Sequence, residues 1–162
     1  MTIRVAWGTG SGPTGMAAYD AALADAGLHN YNLVSVSSVI PADEDVTAVG
    51  TAPDLGPAGN QLTVVEAHAN AAGPRHVSAG LAWTDSEAGP GLFYEVADET
   101  DAADVEARVR TGIEAGMELR DWSFREPTVR TVSTDADPGE YAAAVVVAAY
   151  GQSTPISGAD SW

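Results

Sequence analysis

Residues 141–150, YAAAVVVAAY, constrain the fold more than any other stretch of this chain. The run has valines at its centre and no charged residue, and it reads as a strand buried throughout. A strand with no polar side belongs inside a layered fold that covers both of its faces. The rest of the sequence supplies such layers. Residues 3–7, IRVAW, read as a short strand, and GTGSGP at 8–13 reads as a plain turn. Its glycines at 8, 10 and 12 do not have the G-x-G-x-x-G spacing of a phosphate cradle. Residues 14–26 are alanine-rich and helix-forming, with Gly27 as terminator and Met16, Tyr19 and Leu23 on one face. Residues 61–69 and 77–84 read as strands joined by a hairpin-like turn at Gly73-Pro74, and 92–97 and 127–134 as further strands. A second helix begins at Thr100-Asp101, and Val105, Val109, Ile113 and Met117 form its core stripe. Gly112 and Gly116 on its adjoining edge permit close approach to a sheet. The Gly/Pro-rich segment 41–60 reads as an irregular surface connection, and 151–162 as a flexible tail. The expectation is one α/β domain over 1–162, a layered αββα-type sandwich of mostly antiparallel sheet with two main helices and about six strands.

Composition narrows the chemistry. The 162 residues carry 23 acids against 7 bases, a net charge of −16, and every base is arginine. Nucleic-acid binding is disfavoured, because phosphate contact needs a basic surface that seven scattered arginines do not make. The carboxylates are dispersed rather than gathered in a tail, and with lysine absent they suggest a high-salt cytoplasm. At molar salt the screening length falls to about 3 Å, so a cationic substrate must be held by direct contact. No apolar run approaches the ~20 residues of a membrane span, and no signal peptide leads the chain, so a cytoplasmic location is expected. Zero cysteine removes disulfides and thiolate chemistry. Zero lysine removes a Walker-type phosphate loop and any pyridoxal phosphate held as a lysine Schiff base. An electron sink for amine chemistry would have to come from elsewhere.

Against that background the stretch 30–42, NYNLVSVSSVIPA, has two readings. One is a strand ending in a turn at Pro41. The other is a peptide bond, Ser37-Ser38, built to break itself and leave a carbonyl at position 38. Two carboxylates accompany it. Asp20 lies at the edge of the Met16–Tyr19 face of the first helix, either as a solvated helix carboxylate or as an anion aimed into a site. Glu95 shares a strand face with Phe93. If buried there, desolvation raises its pKa and makes it a candidate proton donor near neutral pH. The histidines at 29, 68 and 76 have no ligand-like spacing, so no metal is expected.

The order of YDAALADAG (19–27), NYNLVSVSSVIP (30–41), GLFYE (91–95) and GMELRDW (116–122) resembles the pyruvoyl-dependent arginine decarboxylases, with looser similarity over roughly residues 3–150. Ala42 departs from the pattern, since family members commonly carry a second proline there. The resemblance implies that the Ser38 hydroxyl attacks the Ser37 carbonyl, giving chains 1–37 and 38–162 and a covalent pyruvoyl group derived from Ser38. That step needs a twisted or strained serine peptide and a hydrogen-bond donor at its carbonyl. Asn32 is the family's upstream residue, but in a straight strand it stands about 17 Å from Ser37. A bend or a neighbouring subunit must bring it close, and the family places such sites at the subunit interfaces of a trimer. Glu95 matches the proton donor and Asp20 the residue that binds the guanidinium of arginine. An ion pair at about 4 Å is worth at most ~4 kcal/mol at an effective dielectric of 20, enough to select arginine over a neutral side chain. The product would be agmatine, a polyamine precursor. Two alternatives stay open: a pyruvoyl decarboxylase of another amino acid, and an uncleaved, non-catalytic paralogue serving as a binding or regulatory subunit.

Overall fold

The computed structural model describes residues 1–87 and 89–156. Their element order is β1 (Thr2–Gly12), α1 (Gly15–Asp25), β2 (Asn32–Ser35), β3 (Val39–Ile40), β4 (Asp45–Gly50), β5 (Gln61–Ala72), β6 (Arg75–Ser86), β7 (Gly89–Asp98), α2 (Ala102–Glu118), β8 (Thr128–Ala136) and β9 (Tyr141–Tyr150). The strands form a five-stranded sheet, β2-β5-β9-β1-β4, and a four-stranded sheet, β3-β7-β6-β8. The smaller sheet is antiparallel throughout; the larger is antiparallel except where β2 joins β5 and β4 joins β1.

The uncharged run at 141–150 is the middle strand of the larger sheet, and its two faces serve two cores. Ala142, Ala144, Val146 and Ala148 meet Val77, Ala79, Leu81 and Trp83 of β6 and Phe93 of β7 between the sheets. Ala143, Val145, Val147 and Ala149 face outward, onto Ala18, Ala22 and Leu23 of α1. A third cluster joins Val105, Val109 and Ile113 of α2 to Ala82 and Leu92 on the outside of the smaller sheet. The layers are therefore helix, sheet, sheet, helix. Each fully buried valine or leucine in them contributes about 1.5–3 kcal/mol relative to exposure.

Both helices begin where the sequence marks them. Thr14 caps α1 by accepting from the Ala17 amide, and Asp101 caps α2 by accepting from the Asp104 amide. The expected core stripe of α2 is buried through Ile113, whereas the expected face of α1 is borne out only in part, with Leu23 buried and Tyr19 half-buried. Met16 is exposed, and Ala18 and Ala22 are buried instead. Glycine explains the difference. The segment expected as a plain turn continues β1 to Gly12, and a Cβ at Gly8 or Gly10 would overlap the Ala22 backbone. Bare strand positions let α1 lie so close that only alanine fits beneath it.

Three further expectations change. The segment 41–60 is not wholly irregular, because Asp45–Gly50 forms β4 beside β1. The turn at Gly73-Pro74 is not a hairpin, since β5 and β6 belong to different sheets. The strands number nine among the described residues, rather than about six. Of the expected tail, Thr154 exchanges backbone hydrogen bonds with Gln61, and the Ser153 hydroxyl donates to the Leu55 carbonyl; residues 157–162 lie outside the described residues.

Candidate active site

The stretch 30–42 is not one strand. β2 pairs in parallel with β5 in the larger sheet, and β3 pairs with β7 at the edge of the smaller one. Ser37 and Ser38 are the crossing between them. Backbone hydrogen bonds pin the crossing at both ends, with the Val36 amide on the Val64 carbonyl (2.9 Å) and the Phe93 amide on the Ser38 carbonyl (2.8 Å). Between those pins the Val39 amide donates to the Ser37 carbonyl at 3.0 Å, an i to i+2 turn centred on Ser38. Asp43 is the only non-glycine residue with positive φ among the described residues, so this is an inverse γ-turn. The expected strained serine peptide is thus not a left-handed one; the pair sits in a tight turn of ordinary handedness.

The Ser38 hydroxyl donates to Glu95 Oε2 at 3.0 Å. β7 places that carboxylate by strict alternation. Phe93 points into the core between the sheets and Leu92 toward α2, so Glu95 emerges on the Phe93 side, one pair of residues farther along. Glu95 is exposed in the single chain, so the burial that would desolvate it is absent there. A cleft of about 410 Å³ opens at this point, lined by Ser37, Ser38, Phe93, Glu95, Gly116 and Arg120, among others. Its size suits an amino-acid ligand. Arg120 reaches the cleft from the end of α2, its guanidinium donating to the Gly116 carbonyl at 2.8 Å and lying 5.6 Å from the Trp122 ring centre. Tyr150, the last residue of β9, donates its hydroxyl to the Val39 carbonyl at 3.1 Å. Burial, with the nearby Glu95 carboxylate, pushes its pKa up to about 12.

The structure therefore brings together Ser37, Ser38 and Glu95, three of the five residues expected in the site. Asn32 is at the far end of β2, where its amide donates to the Gly59 carbonyl at 2.9 Å. Asp20 is exposed on α1, and neither residue lines the cleft within the chain. Sequence reasoning missed Arg120 and Tyr150. The first lay in the GMELRDW segment, and the second ended the buried run, a position where an aromatic hydroxyl can reach a neighbouring backbone.

A second polar cluster lies on the α1 side of β5. Tyr19 donates to Glu66 and stacks on His68, with ring centres 3.9 Å apart. Burial raises the Tyr19 pKa, and the bond to Glu66 adds to the effect. Burial also lowers the pKa of His68, against the opposing pull of Glu66. His76 pairs with Asp135 at 2.6 Å. Among the described residues there is no group of three side chains placed to hold a metal ion, and no helix is long and apolar enough to cross a membrane.

The family model described as pyruvoyl-dependent arginine decarboxylase matches residues 2–155. The chain belongs to that family. A protein named pyruvoyl-dependent arginine decarboxylase from Halobacterium salinarum is 66% identical over 154 residues, 95% of this chain and 96% of that one. Proteins of the same name from Methanopyrus kandleri and Pyrococcus horikoshii are 34% and 36% identical, and the matches span 88% and 85% of this chain and 91% and 85% of theirs. A family defined by a pyruvoyl group implies that group here. The residues at the crossing fit it, since a serine with its hydroxyl on a carboxylate adjoins a carbonyl that already accepts an amide hydrogen bond, at the mouth of a cleft.

Proposed function

We propose that this chain is a self-processing carboxy-lyase that converts L-arginine to agmatine and carbon dioxide. The observation that carries the reading is the hydrogen bond from Ser38 Oγ to Glu95 Oε2, placed beside the Ser37-Ser38 peptide in a chain of this family. The hydroxyl proton passes to Glu95 as Oγ bonds to the Ser37 carbonyl carbon. The C–N bond then breaks, Ser38 N takes up a proton, and an ester replaces the amide. Loss of the Ser38 α-proton expels the Ser37 carboxylate from Cβ, and water converts the resulting enamine to a ketone and ammonia. The products are chains 1–37 and 38–162, the second beginning with the pyruvoyl group.

Once formed from Ser38, the pyruvoyl group would supply the electron sink for carbon dioxide loss that a lysine-free chain cannot obtain from pyridoxal phosphate. Glu95 stands beside that position and returns a proton to the substrate α-carbon. Asp20 binds the guanidinium. Because Asp20 and Asn32 lie away from the cleft of their own chain, a second copy must deliver them, which supports a homotrimer with sites between subunits. The acidic, lysine-free composition supports operation in a high-salt cytoplasm. Intact mass after expression in high salt tests the processing, and comparison of arginine, lysine, ornithine and histidine turnover tests the substrate. A single full-length species means an uncleaved paralogue; turnover of another amino acid instead of arginine removes the substrate claim.

A further inference from the structure

The proposed cut requires a donor for the negative charge that forms on the Ser37 oxygen. Asn32 does not supply it within the chain, because its amide group is on the Gly59 carbonyl. We propose that the main-chain N–H of Val39 is that donor, and that Phe93 and Tyr150 are the residues that aim it. This rests on the self-processing reading above.

The argument is geometric. The Ser38–Val39 peptide is planar and trans, so its N–H and C=O point in opposite directions. The Phe93 amide of β7 grips the carbonyl end at 2.8 Å, and the N–H end is thereby turned back onto the Ser37 oxygen at 3.0 Å. It is the one hydrogen bond to that oxygen among the described residues. Next along the chain, the Tyr150 hydroxyl holds the Val39 carbonyl at 3.1 Å, anchoring the turn to β9 in the opposite sheet. The smaller sheet thus fixes the Ser38–Val39 peptide unit through Phe93, and the larger sheet fixes the unit that follows it through Tyr150, at the point where the chain passes between them.

An i to i+2 hydrogen bond is bent and weak while its acceptor is a neutral amide oxygen. As Ser38 Oγ bonds to the Ser37 carbon, the carbonyl electron pair moves to the Ser37 oxygen and the Oγ proton moves to Glu95. The same N–H then faces an anion and stabilises it more strongly, which is how a preorganised donor accelerates a reaction. When the C–N bond breaks, the electron pair returns to re-form the carbonyl, and Ser38 N takes up a proton. The donor needs no side chain, so substitutions surveyed residue by residue would not expose it.

The experiment replaces Val39 in the full chain by 2-hydroxyisovaleric acid, which keeps the side chain and exchanges N–H for oxygen. The rate at which the cut after Ser37 appears is followed by intact mass. The same exchange at Val36, whose amide bonds Val64, is the control. Loss of one oxyanion donor predicts a rate lower by roughly 100-fold or more at position 39, with near-normal cutting in the control. Equal slowing of both, or normal cutting of the first, overturns the assignment. Tyr150→Phe provides a second route: cleavage by hydroxylamine, which traps the ester, falls roughly tenfold at an unchanged melting temperature. An unchanged trapping rate removes Tyr150 from the proposal. If the unmodified chain never divides, the self-processing reading fails instead, and the two failures are distinguishable.

Discussion

The chain leaves one sheet for the other at Gly73-Pro74 and at Asp137–Gly139, and these two passages lie side by side. The Gly73 amide donates to the Glu140 carbonyl at 2.8 Å, and a Cβ on Gly73 would overlap the Asp137 carbonyl. Glycine and proline make these passages because only small or preset residues turn so tightly. The passage at Ser37-Ser38 does the same topological work with neither residue. Its turn is held instead by contacts from β7 and β9, and a hydroxyl rests on a carboxylate. Turn chemistry alone suffices to change sheets, so the serine passage, held by contacts from other strands, is where the proposed cut has room for reactive residues.

The sharpest way to break that comparison is Ser38→Ala, which removes the proposed nucleophile. It is expected to abolish division of the chain, leaving one full-length mass; two chains from this variant would refute the assigned bond. Glu95→Gln keeps the shape but not the proposed proton acceptor, and it is expected to slow division by roughly 100-fold or more in the same assay. Asp20→Asn leaves division unchanged and is expected to raise the KM for arginine roughly 10- to 100-fold. Gly73→Ala acts on the other passage. It is expected to lower the unfolding free energy by about 1–3 kcal/mol in denaturant titration while cutting continues. The smallest effect concerns His68, whose pKa is lowered in the folded state by partial burial. The unfolded chain binds that proton first, so the contribution to stability is complete above about pH 6.5 and is lost as pH falls through the folded value. Melting curves from pH 7 to 5 should show a shallower decline in His68→Gln.

Features with a local period could be read from the sequence. The α2 stripe repeats every turn, the faces of β7 alternate, and β9 has no polar position, so each declares its surroundings. The division of 30–42 into β2 and β3 could not be read, because the partners that decide it, β5 and β7, lie far along the chain. Gly8, Gly10 and Gly12 read as a turn in the sequence because glycine has the same signature whether it bends a backbone or makes room for a helix. Met16 reads as core but is exposed, since helical spacing does not say which face another element can approach. The proximity of Ser37, Ser38 and Glu95 was legible through the family resemblance, with alternation placing Glu95 on the face of Phe93. Tyr150 was not, as its contact with Val39 spans 111 positions.

The internal place of β1, between β9 and β4, has one more consequence. A break after Ser37 would leave the first 37 residues as a separate polypeptide, woven into the sheet by β1 and β2 and covered by α1. The matured protomer would then be a non-covalent pair, with its two new ends rooted in opposite sheets. Its recovery from denaturant should become second order, slowing on dilution, whereas the unbroken precursor should refold at a rate independent of concentration.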